Sequence, residues 1–292
     1  MSYGRAIFGD NQFLGVNHSN QARAAELFER FKHPDAILEV LAAAHDAGVR
    51  DFMFTTHDRY VPVFDEIRRS RLFPGMHYTP CLPYAHKYWN QLSSKGPSAL
   101  IASTIMQINP LRIVPAALGL LLGRTRGVTA LLTEIETLMC RGLPVRGVFL
   151  QNLAFDFLMA MDLHRIIEDF ADTVSRRLGA LPGFITMNHP KAVAMLCDRV
   201  GLERPWVCAN FNQAGFRMNP SQAACEQSFA SGRSHNIAMS VFSSGQSDPG
   251  LALDYVVSRL DAGSLDAILF GSSSRSNINA NLAQINRRTG LP

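Results

Sequence analysis

Two short loops rich in serine and glycine carry the clearest chemical signal in this 292-residue sequence. Gly271-Ser272-Ser273-Ser274 precedes a predicted helix with Arg275 in its first turn, and Ser243-Ser244-Gly245 follows a predicted strand. Small residues at a helix N-terminus leave main-chain N–H groups open to an anion, and the helix dipole favours the same charge. The Arg275 guanidinium can bind such an anion through two hydrogen bonds. The loops therefore predict a phosphate or nucleotide site.

A second group of residues has side chains suited to proton transfer. His57 and Asp58 follow one predicted strand, and Asp10 follows another. An imidazole oriented by a carboxylate is a usable general acid or base, so we expect these three residues to contribute to catalysis. Their spacing matches no common pattern of metal ligands, and no metal is expected.

The elements that position these residues alternate regularly between strands and helices. Eight candidate strands lie at Arg5–Phe8, Asp51–Thr56, His77–Leu82, Arg146–Gln151, Gly183–Asn188, Trp206–Asn212, Asn236–Phe242 and Ala267–Gly271. Helical spacing of apolar residues appears between them at Ala36–Ala47, Thr129–Cys140, Leu163–Leu178, Pro190–Val200, Pro220–Ser231, Pro249–Leu260 and Ser276–Asn286. Repeated strand–helix units predict an α/β fold, a (β/α)8 TIM barrel formed as one domain by residues 1–292. An open doubly wound sheet is less favoured, because no strand is followed by GxGxxG.

The interval between the third and fourth strands is about twice as long as the others. It predicts a helical insertion at residues 94–126. We expect this insertion to pack on the barrel or at a subunit interface; a lid over the site is the alternative.

Polar residues follow nearly every predicted strand. Active sites of such barrels lie at the carboxyl ends of the strands, so these residues should face one pocket. Amides at strand ends also stabilise tight turns, but their recurrence around the barrel favours a pocket. The candidates for binding substrate are Thr55, Gln151, Asn152 and Asn212, the last within the run Asn210-Phe211-Asn212-Gln213.

Several segments are similar to those of the aldo/keto reductase superfamily, whose members are NAD(P)H-dependent (β/α)8 barrels. Ala238–Gly245 resembles the family's A-Y-S-P-L-G-S-G segment, Gly271–Ser274 with Asn277–Leu282 resembles its G-S-S-S and I-x-E-N-L segments, and Phe184–His189 and Asp46–Phe52 resemble two further turns. The resemblance implies NADP(H) or NAD(H) as cofactor. It places the pyrophosphate at Ser240, Ser243, Ser244 and Gly245, the adenosine end at Gly271, Ser272, Ser273, Arg275 and Asn281, and the nicotinamide carboxamide at Asn188.

The family's catalytic tetrad of Tyr, Lys, Asp and His is largely unmatched. Tyr60 stands at the Tyr position, but Thr55 and Gln151 stand at the Asp and His positions, and the third strand ends without a lysine. A phenol with a pKa near 10 is a weak acid without such neighbours. Lys87, five residues beyond that strand, takes the lysine role if its loop folds back.

Composition and charge exclude several other classes. The chain is 47% hydrophobic, so it can bury a large core and is not a disordered protein. Its 28 lysines and arginines against 24 acidic residues are scattered, which argues against nucleic-acid binding. Five cysteines without a CxxC pair, no leader-like N-terminus and no apolar run of about 20 residues indicate a cytoplasmic protein without a membrane partner. Homo-oligomerisation through the apolar insertion stays open.

The sequence therefore predicts an aldo/keto reductase-like oxidoreductase that uses NAD(P)H on a small carbonyl metabolite, with Tyr60 or His57 as the proton donor. Two alternatives remain. One is a cofactor-independent lyase or isomerase that binds a phosphorylated small molecule at the same loops. The other is a non-catalytic nucleotide-binding barrel.

Overall fold

The computed structural model describes residues 2–16, 21–83 and 126–287 of the chain. Eight parallel strands form a closed barrel in which each strand pairs with the next and β1 pairs with β8. They are β1 Ala6–Phe8, β2 Asp51–Thr55, β3 His77–Leu82, β4 Gly147–Leu150, β5 Leu181–Thr186, β6 Trp206–Asn210, β7 His235–Met239 and β8 Ala267–Phe270. This topology confirms the predicted (β/α)8 barrel.

Helices surround the barrel and link successive strands. The described helices are α1 Gln21–Arg30, α2 Pro34–Asp46, α3 Tyr60–Ser70, α4 Arg126–Thr137, α5 Asn152–Ala160, α6 His164–Arg177, α7 His189–Ala194, α8 Gln222–Phe229, α9 Pro249–Asp261 and α10 Arg275–Asn286. Three of them, α1, α3 and α5, were not predicted. Lys87 and the predicted insertion up to residue 125 lie outside the described residues.

Polar residues beside prolines determine where several helices begin. Asp248 is the N-cap of α9, and its Oδ1 accepts a hydrogen bond from Leu251 N at 3.0 Å. Pro249 follows in the first turn, where it costs no intrahelical hydrogen bond. Helix α8 begins two residues later than the predicted start at Pro220, because Ser221 is its N-cap and accepts a hydrogen bond from Ala224 N.

Alternate strand residues point into the barrel or outward toward the helices. Met53, Cys81 and Phe149 belong to the cluster that fills the interior. Phe52 and Phe54, which flank Met53 in β2, belong to the layer between strands and helices. The direction in which a residue points therefore decides whether it can reach a ligand at the barrel mouth.

A single aromatic ring occupies the interior between β4 and β5. Phe149 and Gly183 are register partners in these strands. A Cβ atom on Gly183 would lie 2.2 Å from Phe149 Cζ, closer than any real contact. Glycine is required here by space rather than by backbone conformation.

Candidate active site

A cavity of about 570 Å³ opens at the carboxyl ends of the strands. Met53, Cys81 and Leu269, from the barrel interior, contribute to its lining. Ten of the predicted site residues line it: Asp10, Thr55, Gln151, Asn152, Ser240, Ser244, Gly245, Gly271, Ser272 and Ser273. The barrel therefore brings most of the predicted site together.

Asp10, two residues beyond the end of β1, is the best placed group for proton transfer. Its side chain lines the cavity, although the residue is only 7% exposed. Its Oδ2 accepts hydrogen bonds from Thr55 N at 2.8 Å and from the Tyr60 hydroxyl at 3.1 Å. Burial raises the pKa of Asp10 to about 6, and the hydrogen bonds from Thr55 and Tyr60 oppose this rise only in part. A carboxyl with such a pKa exchanges protons near neutral pH.

Thr55 and Gln151 extend the polar network around Asp10. Gln151 Nε2 donates to Thr55 Oγ1 at 3.1 Å, and the Thr55 main-chain N–H donates to Asp10. Because all three residues line the cavity, a ligand at this wall would meet a connected set of donors and acceptors.

Tyr60 does not have the position that the resemblance implied. It begins α3 and is fully buried among Phe52, Phe54 and Phe64 in the layer outside the strands. Burial also raises the pKa of its hydroxyl well above the usual value, and Asp10 raises it further. Tyr60 does not line the cavity, and its hydroxyl instead donates a hydrogen bond to Asp10. In this geometry Tyr60 is not placed to contact a ligand in the cavity.

His57 and Asp58 also stand away from the cavity lining. Backbone N–H of Arg59 donates to His57 Nδ1 at 3.0 Å, so this ring nitrogen serves the turn before α3. The Oδ2 of Asp10, which was expected to orient His57, serves Thr55 and Tyr60. The structure therefore does not support the predicted contact of His57 and Asp58 with a ligand.

The loop after β7 has an unusual backbone. Ser240, Ser243 and Ser244 all have left-handed φ angles, of 55°, 50° and 59°. Each such residue costs about 1 kcal/mol or more unless it is glycine, and strained backbone is concentrated at functional sites. Ser240 and Ser244 line the cavity, and the Ser244 N–H has no acceptor among the described residues. Ser243 is fully buried and bonded to Ser247, so it supports the loop rather than facing a ligand.

The loop after β8 approaches the cavity through Gly271, Ser272 and Ser273. A Cβ on Gly271 would lie 2.3 Å from Gln12 Oε1, so this loop and the β1 loop are in close contact. Helix α10 begins directly afterwards, and its N-cap Ser274 makes no side-chain cap hydrogen bond. The first-turn N–H groups of α10 are therefore without a side-chain cap.

Two residues assigned to this end of the cofactor lie elsewhere. Arg275 forms an ion pair with Asp46 of α2 at 3.1 Å, and both side chains are more than half exposed. Neither Arg275 nor Asn281 lines the cavity. The structure therefore does not bring these two residues together with the rest of the predicted cofactor site.

Two asparagines predicted to bind ligand have structural tasks instead. Asn188 is the N-cap of α7 and accepts from Lys191 N at 3.1 Å. The side chain of fully buried Asn212 donates to Phe216 O and accepts from Phe216 N, which fixes the turn after β6. Neither lines the cavity.

Asn210 and Arg217 line the cavity but were not among the predicted site residues. Asn210 ends β6 and is 2% exposed, and its Oδ1 has no hydrogen-bond partner among the described residues. Its Nδ2 donates to Arg217 O at 3.0 Å. The polar run Asn210-Phe211-Asn212-Gln213 pointed to this region. Asn210 is the last residue of β6 and lines the cavity, whereas Asn212 lies in the turn after the strand and does not.

Two negative observations apply to the described ranges 2–16, 21–83 and 126–287. No group of three or more His, Cys, Asp or Glu side chains is placed to hold a metal ion there. None of the helices in these ranges combines the length and apolar character needed to cross a membrane.

Comparison with known proteins finds similarity of fold alone. No protein-family model and no curated protein match the sequence. A Pseudomonas aeruginosa protein provisionally named an aldo-keto reductase superposes with a TM-score of 0.59 at 10% identity, over 98% of this chain and 90% of that one. An aldose reductase from Giardia lamblia gives a TM-score of 0.50 at 12% identity, over 99% and 89%. The chain therefore has the barrel fold of aldo-keto reductases.

Proposed function

We propose that this protein is an NAD(P)H-dependent oxidoreductase that reduces a small carbonyl compound, with Asp10 as the proton donor. One observation carries the proposal: the buried carboxyl of Asp10 lines the same cavity as the anion-type loops after β7 and β8. The aldo-keto reductase fold supports it, but activity does not follow from fold alone.

The two loops have the character that a dinucleotide needs. The Ser244 N–H is open, Gly271 presents backbone without a side chain, and the uncapped first turn of α10 favours negative charge. These groups would hold the pyrophosphate. Because Asn188 caps α7, the orphaned Oδ1 of Asn210 is the better acceptor for the carboxamide N–H. When bound, NAD(P)H supplies a hydride to the substrate's carbonyl carbon.

The carbonyl oxygen needs a proton as it gains negative charge. Asp10 can supply it, because burial raises the pKa of its carboxyl to about 6 and keeps a large protonated fraction near that pH. Thr55 and Gln151 fix the orientation of this wall through the hydrogen bonds described above. A positioned acid of this kind contributes about 100-fold or more to such a step.

The decisive experiment is a titration with NADPH and NADH followed by melting temperature and ligand fluorescence. Ser273→Glu puts a carboxylate at the proposed pyrophosphate wall, so we expect at least a tenfold weaker binding. Ser258→Glu, on the exposed side of α9, is the matched control and should bind normally.

The failure of both nucleotides to bind the wild-type protein would overturn the reductase proposal and the nucleotide-binding alternative together. Binding without turnover of any carbonyl compound would favour the non-catalytic barrel. Turnover of a phosphorylated compound with no redox cofactor would favour the lyase or isomerase, which would use the same loops for its phosphate.

A further inference from the structure

Arg217 is a cation in the cavity wall that forms no ion pair with the residues the structure describes. Among the described residues that line the cavity, the only charged side chains are Asp10 and Arg217. Asp10 interacts with Thr55 and Tyr60, and within the described ranges Arg217 has no ion pair. Its guanidinium lies over the Phe216 ring at 5.1 Å, which limits its orientations without neutralising it.

The β6 loop is built so that Arg217 stays at this position. Its φ angle is 55°, a left-handed conformation that a non-glycine residue adopts only when its surroundings enforce it. Asn210 donates to the Arg217 carbonyl, and Asn212 bonds both main-chain polar groups of Phe216. Two buried amides thus hold the backbone on either side of an exposed, charged side chain.

A guanidinium is suited to carboxylate or phosphate, since its N–H groups pair with two oxygens at once. The position of Arg217 distinguishes these partners. The Asn210 side chain donates to the main-chain carbonyl of Arg217, and the proposed function assigns Asn210 to the nicotinamide end of the cofactor. The main chain of Arg217 is therefore held at the Asn210 end of the cavity, so its side chain extends from the end where the proposed function puts the substrate.

We propose that Arg217 binds the carboxylate of the substrate, so that the physiological substrate is a small oxo acid. That the ligand carries a carbonyl group and is a substrate rests on the proposed function. That Arg217 binds a small carboxylate in this cavity can be tested independently of the proposed function.

The kinetic experiment compares straight-chain 2-oxo acids of three to six carbons with their methyl esters, which keep the carbonyl and lose the charge. We expect wild-type kcat/KM to favour the acids by at least tenfold. Arg217→Met should abolish that preference through KM while the Kd for NADPH stays within about twofold. Arg217→Lys should retain part of it. Arg204→Met is the matched control, because Arg204 is also exposed and left-handed (φ 45°) but precedes β6 at the other end of the barrel.

Equal or better turnover of the esters, or turnover of no acid, would overturn the inference. So would an Arg217→Met variant that loses NADPH affinity yet keeps the acid preference, because the guanidinium would then serve the cofactor. A separate arm measures melting temperature with millimolar oxalate and no nucleotide. Stabilisation of the wild type but not of Arg217→Met supports the carboxylate site even if NADPH fails to bind. No difference between the two proteins contradicts it.

Discussion

The Tyr60 hydroxyl donates a hydrogen bond at 3.1 Å to Oδ2 of Asp10, a residue that lines the cavity, whereas Tyr60 itself does not. The tyrosine that the aldo/keto reductase resemblance placed at the catalytic position is therefore behind the reacting wall. Any effect of Tyr60 on a ligand in the cavity is transmitted through the Asp10 carboxyl.

Replacing Tyr60 by phenylalanine tests this arrangement. The hydrogen bond from Tyr60 lowers the pKa of Asp10, so its loss should move the pKa above about 6. We expect Tyr60→Phe to keep carbonyl reduction within about threefold at low pH, and to shift the upper limb of the pH–rate profile to higher pH. A loss of 100-fold or more at every pH would restore Tyr60 as the proton donor.

The matched control for this variant is Tyr255→Phe, which removes another tyrosine hydroxyl bonded to a carboxylate, Glu226, outside the cavity lining. It should leave the pH–rate profile unchanged. A shift as large as that of Tyr60→Phe would mean that the profile responds to general loosening of the barrel.

Asp10→Asn should stabilise the folded protein at neutral pH. The carboxyl has a pKa of about 6 when folded, against 3.8 without burial. Between these values the native state holds a proton that the unfolded state has lost, so stability falls as pH rises from about 4 to about 6 and stays lowered above that. The full penalty is about 3 kcal/mol.

Asparagine can still accept from Thr55 and Tyr60 without carrying charge. We therefore expect the free energy of unfolding in urea to rise by about 2 kcal/mol at pH 7.5, with little gain at pH 4. Asp254→Asn, on the exposed face of α9, controls for the removal of one negative charge. A lower stability of Asp10→Asn at pH 7.5 would show that the ionised carboxylate is favourable in the native state.

The same substitution should abolish proton donation. Wild-type carbonyl reduction is expected to fall about tenfold per pH unit above pH 6, because the protonated fraction of Asp10 falls with it. Asp10→Asn should lose at least about 100-fold in kcat at pH 6 and show no such slope. The NADPH affinity of this variant, measured by fluorescence, should be near that of the wild type. A reduction rate independent of pH between 5 and 8 would remove Asp10 from the mechanism.

Gly271→Ala should weaken nucleotide binding by displacing Gln12. The new Cβ would lie 2.3 Å from Gln12 Oε1, and the side chain would have to leave its hydrogen bond to Gly9 O. We expect a loss of about 1 kcal/mol in stability and a several-fold rise in the Kd for NADPH. Combining Gly271→Ala with Gln12→Ala should relieve the clash. Gly4→Ala, whose Cβ would meet its nearest neighbour at 3.6 Å, is the control.

The strands could be predicted closely because each is a short apolar run buried in the barrel, and the predicted bounds differ by only a few residues. Helix α3 could not, since Pro62 and the β-branched Val61 and Val63 in its first turn resemble a strand or loop. Proline is tolerated there because the first N–H groups of a helix have no intrahelical acceptor.

The sequence could predict the site residues that lie at strand ends. It could not predict which residues beyond a strand end face the cavity. Thr55 ends β2, and Gln151 and Asn152 are the first two residues after β4, so the barrel alone places them at the cavity. Beyond a strand end, the turn decides direction: Asn188 points back to cap a helix, and Asn212 folds onto its own loop. Arg217 lies in a stretch with neither helical nor strand periodicity. No pattern of residue types in the sequence identifies it as a residue of the site.

The pairing of Phe149 with Gly183 has a consequence for how this barrel can diverge. The Phe149 ring in β4 fills the space that a side chain at position 183 in β5 would need. A change of size at one of these positions alone would therefore produce a collision or a void. Lineages that gain a side chain at 183 must first, or simultaneously, shrink the residue at 149. We therefore expect these two positions to covary among homologous sequences, with a small residue at one wherever the other is large.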